Sequence, residues 1–244
     1  MTATKTTTTA PLTAAELDAL RALNSPTIAN AIETFNIRGR DEGFMDWSVR
    51  CILPELGAKI GYAATAVIMA EQPAAGNRQI HNGDYWDHIL SIPAPRMIAV
   101  QDVDQRPAQG SMWGEVQANI HTALGCVGVV TNGGVRDLDE VREVGFGFWA
   151  AAPIVSHAYV HLIDFGTPVK MGGLLVHPGD LLHADQHGVI NIPHEIARDI
   201  VRAAQEVEAK ERVTIDLCRS KDFTVDKLKA LMYPGGRPNR DEGH

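Results

Sequence analysis

The stretch Trp113-Gly114-Glu115-Val116-Gln117, followed after a helical run by Val127-Gly128-Val129-Val130-Thr131-Asn132-Gly133-Gly134-Val135-Arg136-Asp137, decides how this chain is read. Apolar residues at 113, 116, 120, 123 and 124 recur at helical spacing, and Gly125 stands where a helix ends on a left-handed residue. The valine-rich run at 127–131 predicts a buried strand, and Asn132-Gly133-Gly134 predicts a turn. One domain is the simplest reading, since mixed α/β domains often run to the size of this 244-residue chain.

The same stretch gathers chemistry. The first turn of a helix has unpaired N–H groups and the positive end of its dipole, so it suits an anion. Gly114 lets a ligand approach that backbone closely, leaving the amides of Glu115, Val116 and Gln117 free to hold a carboxylate. Arg136 adds a planar, permanently charged fork for the same anion. Asp137 offers a hard oxygen suited to Mg²⁺ or Mn²⁺, ions that keep several waters and need few protein ligands. A plainer reading stays open, because Asp137 with Glu140 three residues on is also an ordinary helix cap.

Outward from this unit, Thr13 and Glu16 form a capping box for a first helix. Ser25 and Pro26 predict the start of a second, with Ser25 as the cap. Residues 61–69 and 96–102 read as strands with a helix over 80–92 between them. A short helix over 138–144 closes on Gly145 ahead of a strand over 148–151. From 168 to 193 the signals are strands and turns, and 194–218 predicts a long amphipathic helix. The expected organisation is a flexible tail over 1–12, one catalytic domain over 13–233 and a second tail over 234–244.

Bulk properties narrow the function classes. At 244 residues, with 45% hydrophobic and 21% charged side chains, the chain can bury a full core. A formal charge of −8 without a basic cluster argues against nucleic-acid binding. Three widely spaced cysteines, Cys51, Cys126 and Cys218, fit a reducing compartment rather than a disulfide framework. The Thr-rich start has no apolar core of a secretory signal, and no apolar run reaches the roughly 18 residues of a membrane span. A cytoplasmic protein without membrane partners is expected.

Other stretches carry weaker signals. His183, Asp185 and His187 alternate and would share a strand face as a metal set, but Asp185-Gln186-His187-Gly188 reads better as a turn between strands. His157 and His161 are four apart and would share a helix face; substrate contact and a surface or interface role are both open. The stretch from Gly83 to His88 reads as core packing ahead of pocket lining. Gly145-Phe146-Gly147-Phe148-Trp149-Ala150 loosely matches a dinucleotide fingerprint, but it follows a helix and precedes a strand, the reverse of the required order.

The unit from Trp113 to Asp137 resembles the RraA-like family, which includes the class II 4-hydroxy-4-methyl-2-oxoglutarate/4-carboxy-4-hydroxy-2-oxoadipate aldolases. A second family element, PGDxxxADxxGVxxIP, is present from Pro178 to Pro193. The resemblance covers roughly residues 25–215. It implies a swivelling β/β/α three-layer fold, with N-terminal helices and a long C-terminal helix. It implies trimers or dimers of trimers with sites at subunit borders. It further implies a divalent metal, Mg²⁺ or Mn²⁺, on Asp137, and a pyruvyl group held by Arg136 and the amides at Gly114–Gln117. Glu115 would order a water that moves protons, and an acid from a neighbouring subunit's C-terminal helix would reach the site, with Glu211 ahead of Glu208.

Departures from the family pattern fall on one half of the site. An Asp-Ala-Leu becomes Asn30-Ala31-Ile32, a Pro-Gly-Asp becomes Pro93-Ala94-Pro95-Arg96, and Ser156-His157-Ala158-Tyr159-Val160-His161 replaces a region with basic residues in the aldolases. The resemblance implies a metal-dependent carbon–carbon lyase that releases pyruvate from a 4-hydroxy-2-oxo acid, with oxaloacetate decarboxylation on the side. Two alternatives remain. One is a non-catalytic, ribonuclease-binding regulator; the other is a metal-dependent dehydratase or isomerase of a sugar acid.

Overall fold

The computed structural model describes residues 10–74 and 80–235. Most of the two expected tails, 1–9 and 236–244, lies outside the described residues. Where the first tail becomes visible it is anchored: the Leu12 N–H donates to the Tyr62 hydroxyl at 2.7 Å, and Arg198 donates to the carbonyls of Ala10 and Pro11.

Helices α1 (Ala14–Arg21) and α2 (Ser25–Glu33) lead into β1 (Arg50–Cys51) and the long β2 (Lys59–Met69). Then come α3 (Asn82–Ser91), β3 (Arg96–Asp102), α4 (Glu115–Ala123), β4 (Cys126–Thr131), β5 (Gly134–Val135), α5 (Leu138–Val144), β6 (Gly147–Ala150) and β7 (Ala152–Pro153). The remainder is β8 (His161–Phe165), β9 (Val169–Met171), β10 (Leu174–Val176), β11 (Leu181–Asp185), β12 (Gly188–Ile192), α6 (Ile200–Arg219) and α7 (Val225–Met232). Among the described residues no helix is long and apolar enough to cross a membrane.

The main sheet runs β1-β6-β4-β3-β2-β11-β12, and β8 also pairs with β2. Strands β2, β3, β4 and β6 are parallel, and each junction between them contains one of α3, α4 and α5. β2 is long enough to take two antiparallel partners along one edge, β11 beside its first half and β8 beside its second. Such strands are apolar on both faces because both faces are covered. Alternation sorts their residues into two cores: Ile98 and Val100 of β3 face the helices, whereas Met97 and Ala99 face the β9–β10 hairpin with Met171 and Val176. Helices, central sheet and hairpin make the expected β/β/α three-layer fold.

The capping box forms as expected, with Glu16 and Thr13 satisfying each other's backbone. Gly125 and Gly145 sit at φ 75° and 76°, ending α4 and α5 where a side chain would be strained. Several details differ from the sequence reading. Asn24, not Ser25, caps α2 by accepting from the Thr27 N–H at 2.8 Å. Ser25 is already committed elsewhere, its N–H to Asp185 at 2.8 Å and its hydroxyl to His183 Nδ1 at 3.1 Å. The last long helix begins at Ile200, because residues 194–199 form turns tied outward by His194 to the Gly179 carbonyl and by Arg198 to Glu16. Only Ile200, Ala203 and Ala204 of α6 are buried; Val207 and Val213 are not, so within one chain its second half has no core to face. Residues 157–161 are not helical: 156–160 is a loop and His161 opens β8, a strand the sequence reading omitted along with α7.

Candidate functional site

The carboxyl ends of four parallel strands converge on one cavity of about 870 Å³. The chain leaving β2 supplies residues 80–83 and Trp86, and that leaving β3 supplies Ser111, Met112, Gly114, Val116 and Gln117. The chain leaving β4 supplies Arg136 and Asp137, and that leaving β6 supplies residues 157 and 160–162. Clefts beyond the carboxyl ends of strands are where open α/β sheets bind ligands, because the connecting loops part there.

Backbone bonding brings the two halves of the motif together. Trp113 bridges Val135 in parallel, and the Arg136 N–H donates to the Trp113 carbonyl at 2.9 Å. The buried Ser111 hydroxyl lies 2.8 Å from the carbonyls of both Trp113 and Gly134 and accepts the Trp113 N–H at 3.0 Å. Trp113 itself is fully buried, stacked on Phe146 and tilted against His121. Burial pushes the His121 imidazole down to about 4. The ring is therefore neutral, and its Nδ1 donates to the Gln117 carbonyl at 2.7 Å, one turn back along α4.

Asp137 stands in the cap position of α5 but does not cap it. Its backbone is left-handed (φ 54°, ψ 48°), and its side chain makes no bond to its own helix. Such a backbone costs a non-glycine residue about 1 kcal/mol. The carboxylate instead turns to the first turn of α4, where Oδ2 accepts from the Glu115 N–H at 3.0 Å and lies 3.6 Å from Arg136 Nε. Both side chains keep about a third of their surface open, 35% and 33%, so they remain accessible to a ligand. The glycine at 114 follows from this arrangement. Its φ is extended, but a Cβ there would collide with Asp137 Oδ2 and stand 3.1 Å from Cγ and 3.2 Å from Arg136 Cγ.

Of the residues singled out from the sequence, Gly114, Val116, Gln117, Arg136 and Asp137 line the cavity together. Among the described residues, nothing accepts from the Val116 and Gln117 N–H groups, so both stay available to an anion. Glu115 reaches Asp137 only through its backbone; its exposed carboxylate is outside the cavity walls. Glu211 lies on the exposed side of α6, 3.4 Å from the Asn30 amide, and Glu208 is exposed on the same helix; neither lines its own chain's cavity.

The donor set fits a hard cation better than a zinc-like one. Among the described residues no three His, Cys, Asp or Glu side chains are grouped to hold a metal. The cavity offers one carboxylate, which suits Mg²⁺ or Mn²⁺ completed by water and a chelating ligand. Asp185-Gln186-His187-Gly188 is the turn between β11 and β12, as preferred from the sequence, and His183 lies within β11. His183 is held neutral by burial, and His187 Nδ1 meets Asp185 at 3.1 Å. Burial raises the Asp185 carboxyl, but the Ser25 and His187 groups bonded to it outweigh that and hold it below its ordinary value.

The sequence reading missed His81 and Ser111. His81 caps α3 and lines the cavity; a His directly before a helical run was the available signal. Ser111 had no such signal, since its role depends on two carbonyls brought together in space. The Gly83–His88 stretch divides: Gly83 and Trp86 line the cavity, whereas Tyr85 is buried in the core.

Comparison with known proteins places these observations. The family model RraA-like, described as Aldolase/RraA, matches residues 18–191. A 4-hydroxy-4-methyl-2-oxoglutarate aldolase of Thermus thermophilus is 40% identical over 70 residues, covering 28% of this chain and 43% of that protein. The matches span between 20% and 60% of the length of the first curated relatives. Two solved structures share the fold. An uncharacterised protein from Pseudomonas syringae pv. tomato superposes with TM-score 0.70 at 22% identity, covering 90% of this chain and 94% of that one. Streptomyces coelicolor RraAS2, described as an unusual member of the RNase ES inhibitor RraA protein family, gives TM-score 0.64 at 22% identity, covering 83% and 96%.

Proposed function

The chain belongs to the RraA-like family, and on that premise we propose that it is a divalent-metal-dependent carbon–carbon lyase, which cleaves a 4-hydroxy-2-oxo acid to pyruvate and a carbonyl product. The observation that carries this reading is the Asp137 carboxylate, turned from its own helix into the cavity beside Arg136 and the first turn of α4.

Arg136 and the free N–H groups of Val116 and Gln117 hold the substrate carboxylate, a planar fork and a helix N-terminus meeting one anion. Asp137 would hold Mg²⁺ or Mn²⁺. When bound, the cation supplies positive charge beside the 2-oxo group, where negative charge develops as the C3–C4 bond breaks. Arg136 shares that task. A water ordered by the Glu115 carboxylate, which stands on the same helical turn, takes the proton of the 4-hydroxyl or returns one to C3. Oxaloacetate yields the same enolate by loss of CO₂, so its decarboxylation belongs to the proposal. So do a cytoplasmic location, a homotrimer or dimer of trimers, and a Glu211 that enters a neighbouring subunit's site.

The test is pyruvate release by the purified protein with Mg²⁺ or Mn²⁺ and with EDTA. Activity should require the metal. Arg136→Ala and Asp137→Ala should each lower kcat/KM by about 10²-fold or more, the scale of losing a preorganised charge at the reacting oxygen. Full turnover in either variant rejects the assignment. Absence of any metal-dependent turnover, oxaloacetate included, would favour a protein-binding regulator instead.

A further inference from the structure

Besides Arg136 and Asp137, the cavity is lined by His81, Trp86, His157 and His161. Their hydrogen-bonding roles follow from partners that have no choice of role. A carbonyl only accepts, so Nδ1 of His157 donates to the Ala158 carbonyl at 2.7 Å, and Nδ1 of His161 donates to the Tyr159 carbonyl at 2.8 Å. In the neutral rings both Nε2 atoms are then acceptors. A backbone N–H only donates, so His81 Nδ1 accepts from Gly83 at 3.1 Å and its Nε2 carries the proton.

This wall is held in place. The loop before β8 is anchored by the Tyr159 N–H to the Ala70 carbonyl at 3.2 Å and by the Ser111 N–H to the Ser156 carbonyl at 3.0 Å. Ala158 takes a left-handed backbone (φ 46°), a strained geometry that the anchors on either side maintain. A Cβ on Gly110 would stand 2.6 Å from the His157 carbonyl, so the glycine there makes room for the loop.

Charge then discriminates between substrates. Arg136 is the one permanent cation among the described walls, and the pyruvyl carboxylate occupies it in the reading above. A second carboxylate on the substrate would meet the imidazoles of His157 and His161, and among the described residues no second permanent cation lines the cavity to pair with it. A hydroxyl both donates and accepts, so a chain of hydroxyls can satisfy all three rings while its C–H face packs on the Trp86 indole.

We propose that this half of the cavity takes an uncharged, polyhydroxylated carbon chain, so that the substrate is a 3-deoxy-2-oxo sugar acid rather than a 4-hydroxy-2-oxo dicarboxylate. The proposal rests on the lyase reading above. Its chemistry balances without a further reactant. The C3–C4 bond breaks, its electron pair passes to C3, the 4-hydroxyl loses its proton and C4 becomes an aldehyde. Protonation of C3 completes pyruvate.

The experiment measures pyruvate release by the wild-type protein with Mg²⁺ at pH 8 from a 3-deoxy-2-oxo aldonic acid, 4-hydroxy-2-oxoglutarate and oxaloacetate. The expected kcat/KM for the sugar acid exceeds that for the dicarboxylate by about tenfold or more, because a site built to bond hydroxyls rejects a group that leaves it unpaired. His157→Phe and His161→Phe should each lower the ratio of sugar-acid to oxaloacetate kcat/KM by about tenfold, with thermal melts confirming the fold. Equal or faster cleavage of the dicarboxylate, or an unchanged ratio in both variants, overturns this proposal and leaves the lyase reading standing. No metal-dependent pyruvate from any of the three overturns the lyase reading, and this one with it.

Discussion

At Gly114 a single hydrogen in place of a side chain sets the position of a carboxylate. Because any Cβ there would enter the space of Asp137 Oδ2, Gly114→Ala should push that carboxylate out of the cavity. Its backbone φ is extended, so alanine brings no dihedral strain and the fold should survive. We expect metal-dependent activity to fall by about 10²-fold while the melting temperature moves by only a few degrees. A variant with wild-type turnover would mean that the carboxylate position does not matter to the reaction. Asp137 carries the complementary cost, a left-handed backbone whose side chain does nothing for its own helix. From the spacing alone the capping reading stands ahead of the ligand reading, because Asp followed three residues later by Glu is the pattern of a helix cap. The dihedral angle and the Glu115 N–H separate them.

Between elements, Ser111 ties the chain after β3 to the chain after β4. Its one hydroxyl serves the carbonyls of Trp113 and Gly134 and the N–H of Trp113, all buried. Ser111→Ala leaves those groups short of partners, which costs about 1–3 kcal/mol. The same change loosens the spacing between the first turn of α4 and Arg136. Both a lower urea midpoint and a weaker substrate KM are therefore expected; a variant that loses stability with KM unchanged would show that the tie is structural alone. Elements were legible where local rules act without competition. The glycine ends of α4 and α5, the capping box of α1 and the valine-rich β4 all lie where periodicity and cap chemistry place them. Reading failed where a long-range bond outranked a local one. Ser25 gave up its cap role to Asp185 and His183, and residues 194–199 gave up helix for contacts to Gly179 and Glu16. The helical spacing of His157 and His161 was overridden by pairing of β8 with the end of β2.

For the whole molecule, two buried histidines contribute to the response to acid. Burial holds His121 and His183 down to about 4, whereas an unfolded histidine titrates near 6.5. The unfolded chain thus binds more protons than the folded one between those values, and stability falls as pH drops through that window. The contribution is fully present above about 6.5. Each histidine can lose up to about 1 kcal/mol per pH unit below it. Urea midpoints at pH 7 and pH 5 should differ accordingly; equal midpoints would refute the burial argument.

Composition and periodicity were enough to read a mixed α/β domain and most of its strands and helices, and the resemblance to a family motif joined Gly114 with Arg136 and Asp137 as one unit. Those features depend on neighbours along the chain, where local geometry and side-chain chemistry act over a few residues. The histidine-lined wall of the cavity, the direction of the Asp137 carboxylate and the tautomers of three histidines came from folding. Each depends on groups far apart in the chain that the parallel strands deliver to one end of the sheet, and no local spacing records which of them will meet.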